Sequence, residues 1–333
     1  MKTAIQIEFE RNCADAGGAP DIYTDTVIRT RMNRADWLIL VSLALIWGGA
    51  FFFIHVVVHS LPPLTYVWLR LTIAASGLFL FLRLRGERLD LPRQFWSSIL
   101  LLSLMNNVVP FILFGWSQQQ IASGLASILN ATTPIWGVVV AHLFTRDERM
   151  TPLRSAGVVV GFAGVATMIA PTLGGLGNGA LPMLACVSAA LSYALAAVWA
   201  RRFRGQGLKP MAVTTGQLSM GALVMLPIAL VVDRPWSLPM PPAGAWAALV
   251  ALALICTAFA YILYFRLIDR AGATNALLVT LLVPPTAILL GGLFLGEHLG
   301  VQDFLGLGLI ALGLAAIDGR LLSGLSRRPR QAA

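Results

Sequence analysis

The sequence predicts an all-α integral membrane protein with ten transmembrane helices arranged as an inverted five-plus-five repeat. Three observations predict it: a composition too apolar for a soluble core, ten apolar windows of bilayer length, and a self-similarity near 150 residues whose two copies carry different charge patterns. Of the 333 residues, 57% are hydrophobic and 12% charged, against ~45–50% and ~25% in soluble globular proteins. Mean hydropathy is +0.78. The 24 Lys and Arg exceed the 15 Asp and Glu to give a net charge of +9, which in a soluble chain would raise nucleic acid as a partner. Here that charge must first be placed relative to the membrane.

Residues 1–34 mix charged and polar side chains around Gly17, Gly18 and Pro20 without a core-forming period, which predicts a disordered cytoplasmic arm. No apolar stretch of leader type lies near Lys2, Glu8, Glu10 and Arg11, and Met32 is a second candidate start. A helix needs ~20 apolar residues to cross ~30 Å of hydrocarbon. Windows of that kind fall at 37–58, 64–82, 95–116, 121–144 and 155–172, which fill a first repeat at 35–172. A second repeat at 180–319 holds windows at 180–200, 211–232, 245–268, 273–295 and 301–319, and residues 320–333 form a basic cytoplasmic tail. Cys13, Cys186 and Cys256 are odd in number and far apart, which suggests neither a disulfide framework nor a metal site.

Lys and Arg concentrate in cytoplasmic loops. Arg29, Arg31 and Arg34, then Arg83 to Arg93, Arg146 to Arg154, Arg201 to Lys209, Arg266 with Arg270, and the tail all fall on one side, while the opposite loops hold Arg234 alone. Both termini are therefore expected in the cytoplasm, and the positive surface matches anionic lipid headgroups without invoking nucleic acid.

Shifting the chain by 150 residues sets Pro134 on Pro284, Leu143 on Leu293, Phe144 on Phe294 and Asp147 on Glu297. Slips of one to four residues set Gly157 on Gly306, Gly164 on Gly313, Arg70 on Gln217 and Trp47 on Tyr193. Five spans per unit is an odd number, so the second unit must be inverted relative to the first. The loop 145–154 carries three arginines and its counterpart 296–303 none, as inversion requires. Inverted repeats around a midplane site are a recurring architecture of secondary transporters.

Trp47-Gly48-Gly49, Leu61-Pro62-Pro63, Leu69-Arg70-Leu71, Thr133-Pro134 and Leu295-Gly296-Glu297-His298-Leu299 occur in an order and spacing that resembles the ten-helix EamA type of the drug/metabolite transporter superfamily, over residues 35–320. The first-unit hinge departs from that family's usual Gly-Glu-Arg and reads Thr145-Arg146-Asp147-Glu148-Arg149. The resemblance implies a carrier of small metabolites such as amino acids.

Arg70 is the one strongly charged side chain deep in a span, ~9 Å from the outer end at ~1.5 Å per residue. With no acid in any span core, its partner is a backbone carbonyl, a polar side chain, water or an anionic substrate. Two roles stand open for it, packing and positioning or a bidentate clamp on a substrate carboxylate. Gln217 is its neutral equivalent in the second unit. Asn106, Asn107 and Asn130 fall near the bilayer centre, where they either bond between helices or face substrate. Trp47, Trp136, Tyr193, Tyr261 and Tyr264 are candidates for an amphipathic pocket wall. Pro110, Pro134, Pro284 and Pro285 interrupt spans, and each frees a carbonyl that protein or cavity water must satisfy. Gly157 with Gly161, and Gly292 with Gly296, have the four-residue spacing that lets helices approach closely.

No nucleophile–base pair, zinc-protease motif or Asp pair is present to suggest an enzyme, and no cofactor or metal is expected. The expected function is secondary transport of amino acids or related neutral, zwitterionic or anionic compounds across the inner or plasma membrane, by export or exchange. The alternative is a non-transporting sensor or scaffold. The expected partners are a small-molecule substrate and the lipid bilayer; a homodimer is left open.

Overall fold

The computed structural model describes residues 32–144, 150–173, 179–203, 205–276 and 278–318, and among these all regular structure is helical. Among the described residues eight helices are long and apolar enough to cross a membrane: α1 (Arg34–Val58), α2 (Pro63–Leu84), α3 (Arg93–Ser117), α4 (Ser123–Phe144), α5 (Pro152–Pro171), α6 (Ala180–Phe203), α7 (Pro210–Val232) and α8 (Ala243–Ala271). Two shorter apolar helices follow, α9 (Val279–Leu295) and α10 (Val301–Ile317). The expected windows are all occupied, but the last two helices are shorter than the sequence suggests. At ~1.5 Å per residue, seventeen residues reach ~25 Å against ~30 Å of hydrocarbon. Alpha-9 is cut short at one end because Gly296 turns into the left-handed region at φ 64° and closes it, and at the other because a separate turn, Ala273–Ala276, precedes it. The arm before Met32, the hinge residues 145–149 and the basic tail lie outside the described residues.

The exterior is apolar. Leu80, Leu223, Val231, Leu293 and Leu312 are each more than half exposed, a surface compatible with lipid and not with water. Inside, two apolar clusters share α1. One gathers Leu40, Phe51, Ile128, Ile135, Met183 and Val283, and the other gathers Ile54, Tyr66, Leu71, Leu78, Leu218 and Leu249.

The most extensive helix contact pairs α5 with α10; α2 also packs on α7 and α4 on α9, each joining corresponding helices of the two halves. Alpha-1 packs on α9 as α6 packs on α4, α8 packs on α1 as α3 packs on α6, and α3 packs on α7 as α8 packs on α2. Exchanging the first five helices for the second five returns this same scheme.

Small residues set the closest crossing. A Cβ on Gly157 would lie 2.6 Å from the Gly313 carbonyl oxygen, and one on Gly164 would lie 2.7 Å from that of Gly306, so α5 and α10 meet backbone to backbone. A Cβ on Gly161 would collide with Ile135 of α4. Gly292 and Gly296 depart from the packing expected of them. A Cβ on Gly292 would meet nothing nearer than 3.8 Å, and Gly296 has open space and serves to terminate α9.

Helix termini are satisfied from other helices, since their first N–H groups lack intrahelical acceptors. At one end of the bundle, the Asp233 carboxylate after α7 accepts from Thr65 N and Oγ1 at the start of α2, at 2.7 and 2.8 Å. At the same end Ser117 Oγ at the close of α3 donates to Pro182 O at the start of α6. At the other end Asn33 and Asp36 form a capping box on α1, and Asp36, 1% exposed, accepts from Arg270 Nε at 2.7 Å. Lys209 before α7 pairs with Glu87 after α2 at 3.1 Å. Each latch thus has a counterpart in the other half, at the opposite end, built from different chemistry.

Candidate functional site

Alpha-3 and α8 each carry a π-helical turn, Leu104–Val108 and Leu254–Phe259, at the repeat spacing. Such turns expose backbone carbonyls and recur at functional sites. In α3 the turn accommodates Pro110, which has no N–H to donate, and the Met105 carbonyl accepts instead from Ser192 Oγ of α6 at 2.7 Å. In α8, Thr257 Oγ1 donates to the Leu252 carbonyl at 2.8 Å.

Arg70 projects from α2 onto the α8 turn. It is 5% exposed, donates from Nε to Thr257 Oγ1 at 3.1 Å and from Nη1 to the Tyr66 hydroxyl at 2.9 Å, and lays its guanidinium 3.6 Å from the centroid of the Phe111 ring. The sequence left four kinds of partner open, and the protein partners are polar side chains and an aromatic face. Among the described residues no carboxylate pairs with it. Gln217, its counterpart on α7, meets the α3 turn: Asn106 Nδ2 donates to Gln217 Oε1 at 3.3 Å and to the Tyr261 hydroxyl at 3.2 Å. Each half therefore sends a polar side chain from its second helix to the π-turn of the other half.

Aromatic rings flank these two junctions. Trp47 of α1 lies 5.4 Å from Tyr264 of α8, and Tyr193 of α6 lies 6.2 Å from Phe114 of α3, again related by exchange of the halves. Trp136 packs instead edge-on to Phe162 at 4.6 Å, toward α5, with its indole N–H buried and unpartnered.

The three asparagines expected near the midplane make different contacts. Asn106 joins Gln217 and Tyr261. Asn107 is fully buried with neither side-chain atom bonded. Asn130 ends the first segment of α4, where its carbonyl accepts from Thr133 Oγ1 at 2.7 Å. The repeat-related prolines also differ in their local backbone. Alpha-4 breaks between Asn130 and Thr133, just before Pro134, whereas Pro284 and Pro285 lie inside a continuous helical segment, Val279–Leu290.

Tyr66, Phe111 and Thr257 escaped the sequence reading because each sits in an apolar run, and only Arg70's need for a partner signalled them. Glu297 stood out there as a repeat marker and as part of a family motif, with no contact assigned to it. In the fold its carboxylate accepts from Ser123 N at 2.6 Å, Gly124 N at 3.1 Å and Ser123 Oγ at 3.0 Å, with His55 Nδ1 at 3.8 Å. An anion on a helix N-terminus is favoured by the N–H groups and the helix dipole. No cluster of three or more metal-ligating side chains occurs among the described residues.

A model of the EamA-like transporter family matches twice, at residues 35–170 and 180–317. The uncharacterized transporter YoaV of Bacillus subtilis is 28% identical over 276 residues, covering 83% of this chain and 94% of the relative. The uncharacterized inner membrane transporter YedA of Escherichia coli K12 is 28% identical, covering 84% and 89%. A probable amino-acid metabolite efflux pump of the same strain is 24% identical, covering 85% and 94%. One solved crystal structure superposes with a TM-score of 0.61 at 20% identity, over 88% of this chain and 99% of that chain, a likeness of fold alone. With two family matches spanning most of its length and multiple helices apolar and long enough to cross a membrane, the chain belongs to the EamA-like transporter family and is a multi-pass membrane transporter.

Proposed function

We propose that the protein is a secondary carrier of small metabolites, amino acids or related neutral, zwitterionic or anionic compounds, working by alternating access in the inner or plasma membrane as an exporter or exchanger. The observation that carries this reading is the exchange relation between the halves: Arg70 on the Thr257 turn and Gln217 on the Asn106 turn occupy corresponding junctions. Two units with equivalent contacts can swap conformations, so that the arrangement of one end becomes that of the other. In this reading the ten helices form an inverted repeat and both termini lie in the cytoplasm, in line with the arginine-rich loops.

The outer gate is then held by Glu297 on α4 and Asp233 on α2, and the cytoplasmic gate by Asp36 with Arg270 and Glu87 with Lys209. Substrate binds between, with Arg70, Asn106, Gln217 and Tyr261 supplying directed polar contacts and Trp47 and Tyr193 part of the wall. The probable amino-acid efflux pump among the relatives supports metabolites as cargo. The test is counterflow of labelled amino acids, carboxylates and organic cations into sealed liposomes containing the purified protein, with and without a pH gradient. Accumulation of any of them supports the carrier. No flux in vesicles shown to be sealed and correctly inserted rejects it in favour of a sensor or scaffold.

A further inference from the structure

Arg70 brings a full positive charge into the bundle that nothing in the described protein neutralises. Its two hydrogen-bond acceptors, Thr257 Oγ1 and the Tyr66 hydroxyl, are both neutral, and the ring beneath it is Phe111. A guanidinium has five donors, so these bonds leave Nη2 and one hydrogen of Nη1 without an acceptor. The side chain keeps 5% exposure, so part of it borders accessible space. The acids in the described helices, such as Asp36, Asp269 and Asp303, lie within a few residues of helix ends. A buried charge without a partner is costly, and the cost is relieved when an opposite charge arrives.

The groups around Arg70 also bear on what a zwitterion would meet. Asn106 and Gln217 are neutral, Gln217 Oε1 and the Tyr261 hydroxyl already accept from Asn106, and Thr257 already donates to the Leu252 carbonyl. A substrate ammonium would find no carboxylate and would share the interior with the guanidinium. At separations of several ångströms in a protein interior that repulsion lowers affinity on the order of tenfold or more.

We infer that Arg70, with Thr257 and Tyr66 holding its fork, makes this an organic-anion site that prefers a monocarboxylate to the zwitterion of the same carbon skeleton. The inference rests on the carrier reading above and narrows its substrate class. Arg70 reads the carboxylate through its remaining donors, and the half-buried Tyr193, Tyr261 and Tyr264 accommodate an apolar body. Because the bound substrate is a net anion, its movement carries charge across the membrane.

The test compares matched triplets, for example 4-methylpentanoate, leucine and 4-methylpentanamide, on the purified full-length protein. Binding is measured by calorimetry in nanodiscs and transport by counterflow in sealed liposomes. The expected result is binding of the carboxylate at least ~10-fold tighter than the amino acid and the amide, with loss of the carboxylate-over-amide preference in Arg70→Gln. Arg70→Lys keeps charge but loses the fork and should retain a reduced preference. Equal or tighter binding of the zwitterion overturns the proposal even where transport is robust, as does binding of no member of any triplet tried. Selective, Arg70-dependent anion binding without flux of any compound upholds the anion site and defeats the carrier reading instead. If Arg70→Gln fails to fold, the wild-type ratio of carboxylate to amino acid still decides.

Discussion

Thr257 carries two bonds at once: it satisfies the Leu252 carbonyl freed by the π-turn and it receives Arg70 Nε. Thr257→Val keeps the shape and removes the hydroxyl, leaving a buried carbonyl and a buried charged donor unmade, so it should cost about 2–3 kcal/mol. Thr257→Ser should restore most of that. Thermal unfolding of both variants in detergent is the check, and a Thr257→Val midpoint equal to wild type would reject the pairing. Glu297 makes a second such point. Replacing its charge in Glu297→Gln weakens the contact with Ser123 N and Gly124 N and removes the anion from the α4 N-terminus, for about 1–2 kcal/mol. At this scale Arg70, Gln217 and Asn106 were legible in the sequence, because a polar side chain in an apolar run demands an explanation. Tyr66, Phe111 and Thr257 were not, because a Tyr, Phe or Thr on a membrane helix needs none until its neighbour is known.

Among the elements, the α5–α10 crossing is the most demanding on residue size. Gly157→Ala would place a methyl group 2.6 Å from the Gly313 carbonyl and 2.9 Å from Ile317 Cγ1, which forces the two backbones apart. Overpacking of this kind costs about 1–3 kcal/mol. Gly308→Ala, with no atom within 4 Å of the added group, should be neutral or slightly stabilising through helix propensity. A ranking of melting temperatures for the two variants tests the crossing, and equal values would mean that α5 and α10 do not meet at Gly157. The sequence marked Gly157 and Gly161 through their spacing but gave Gly292 and Gly296 the same reading. Spacing reports only that two residues share a helix face, and which face meets a partner is settled by packing. The π-turns in α3 and α8 were likewise invisible, since one extra residue in a turn leaves hydrophobic composition unchanged.

For the whole molecule, the arginine distribution and the latches at the two ends make a joint prediction. In a chain whose native cysteines are replaced, cysteine at His59 or Trp236 should react with an impermeant maleimide added to intact cells, whereas cysteine at Glu87 or Gln206 should react only after permeabilisation. The reverse pattern would invert the topology and exchange the proposed gates. The apolar windows, their order and their repetition followed from the sequence alone. Lipid demands a run of apolar residues wherever a helix crosses, and arginine is costly to move across, so both leave a linear record. The tertiary structure alone decided which polar groups face one another: Arg70 with Thr257, Asn106 with Gln217, Glu297 with the start of α4. Those contacts join residues more than a hundred positions apart across helices that all look alike in hydropathy. Their partners are chosen by helix rotation and crossing, which depend on the fit of many small side chains at once.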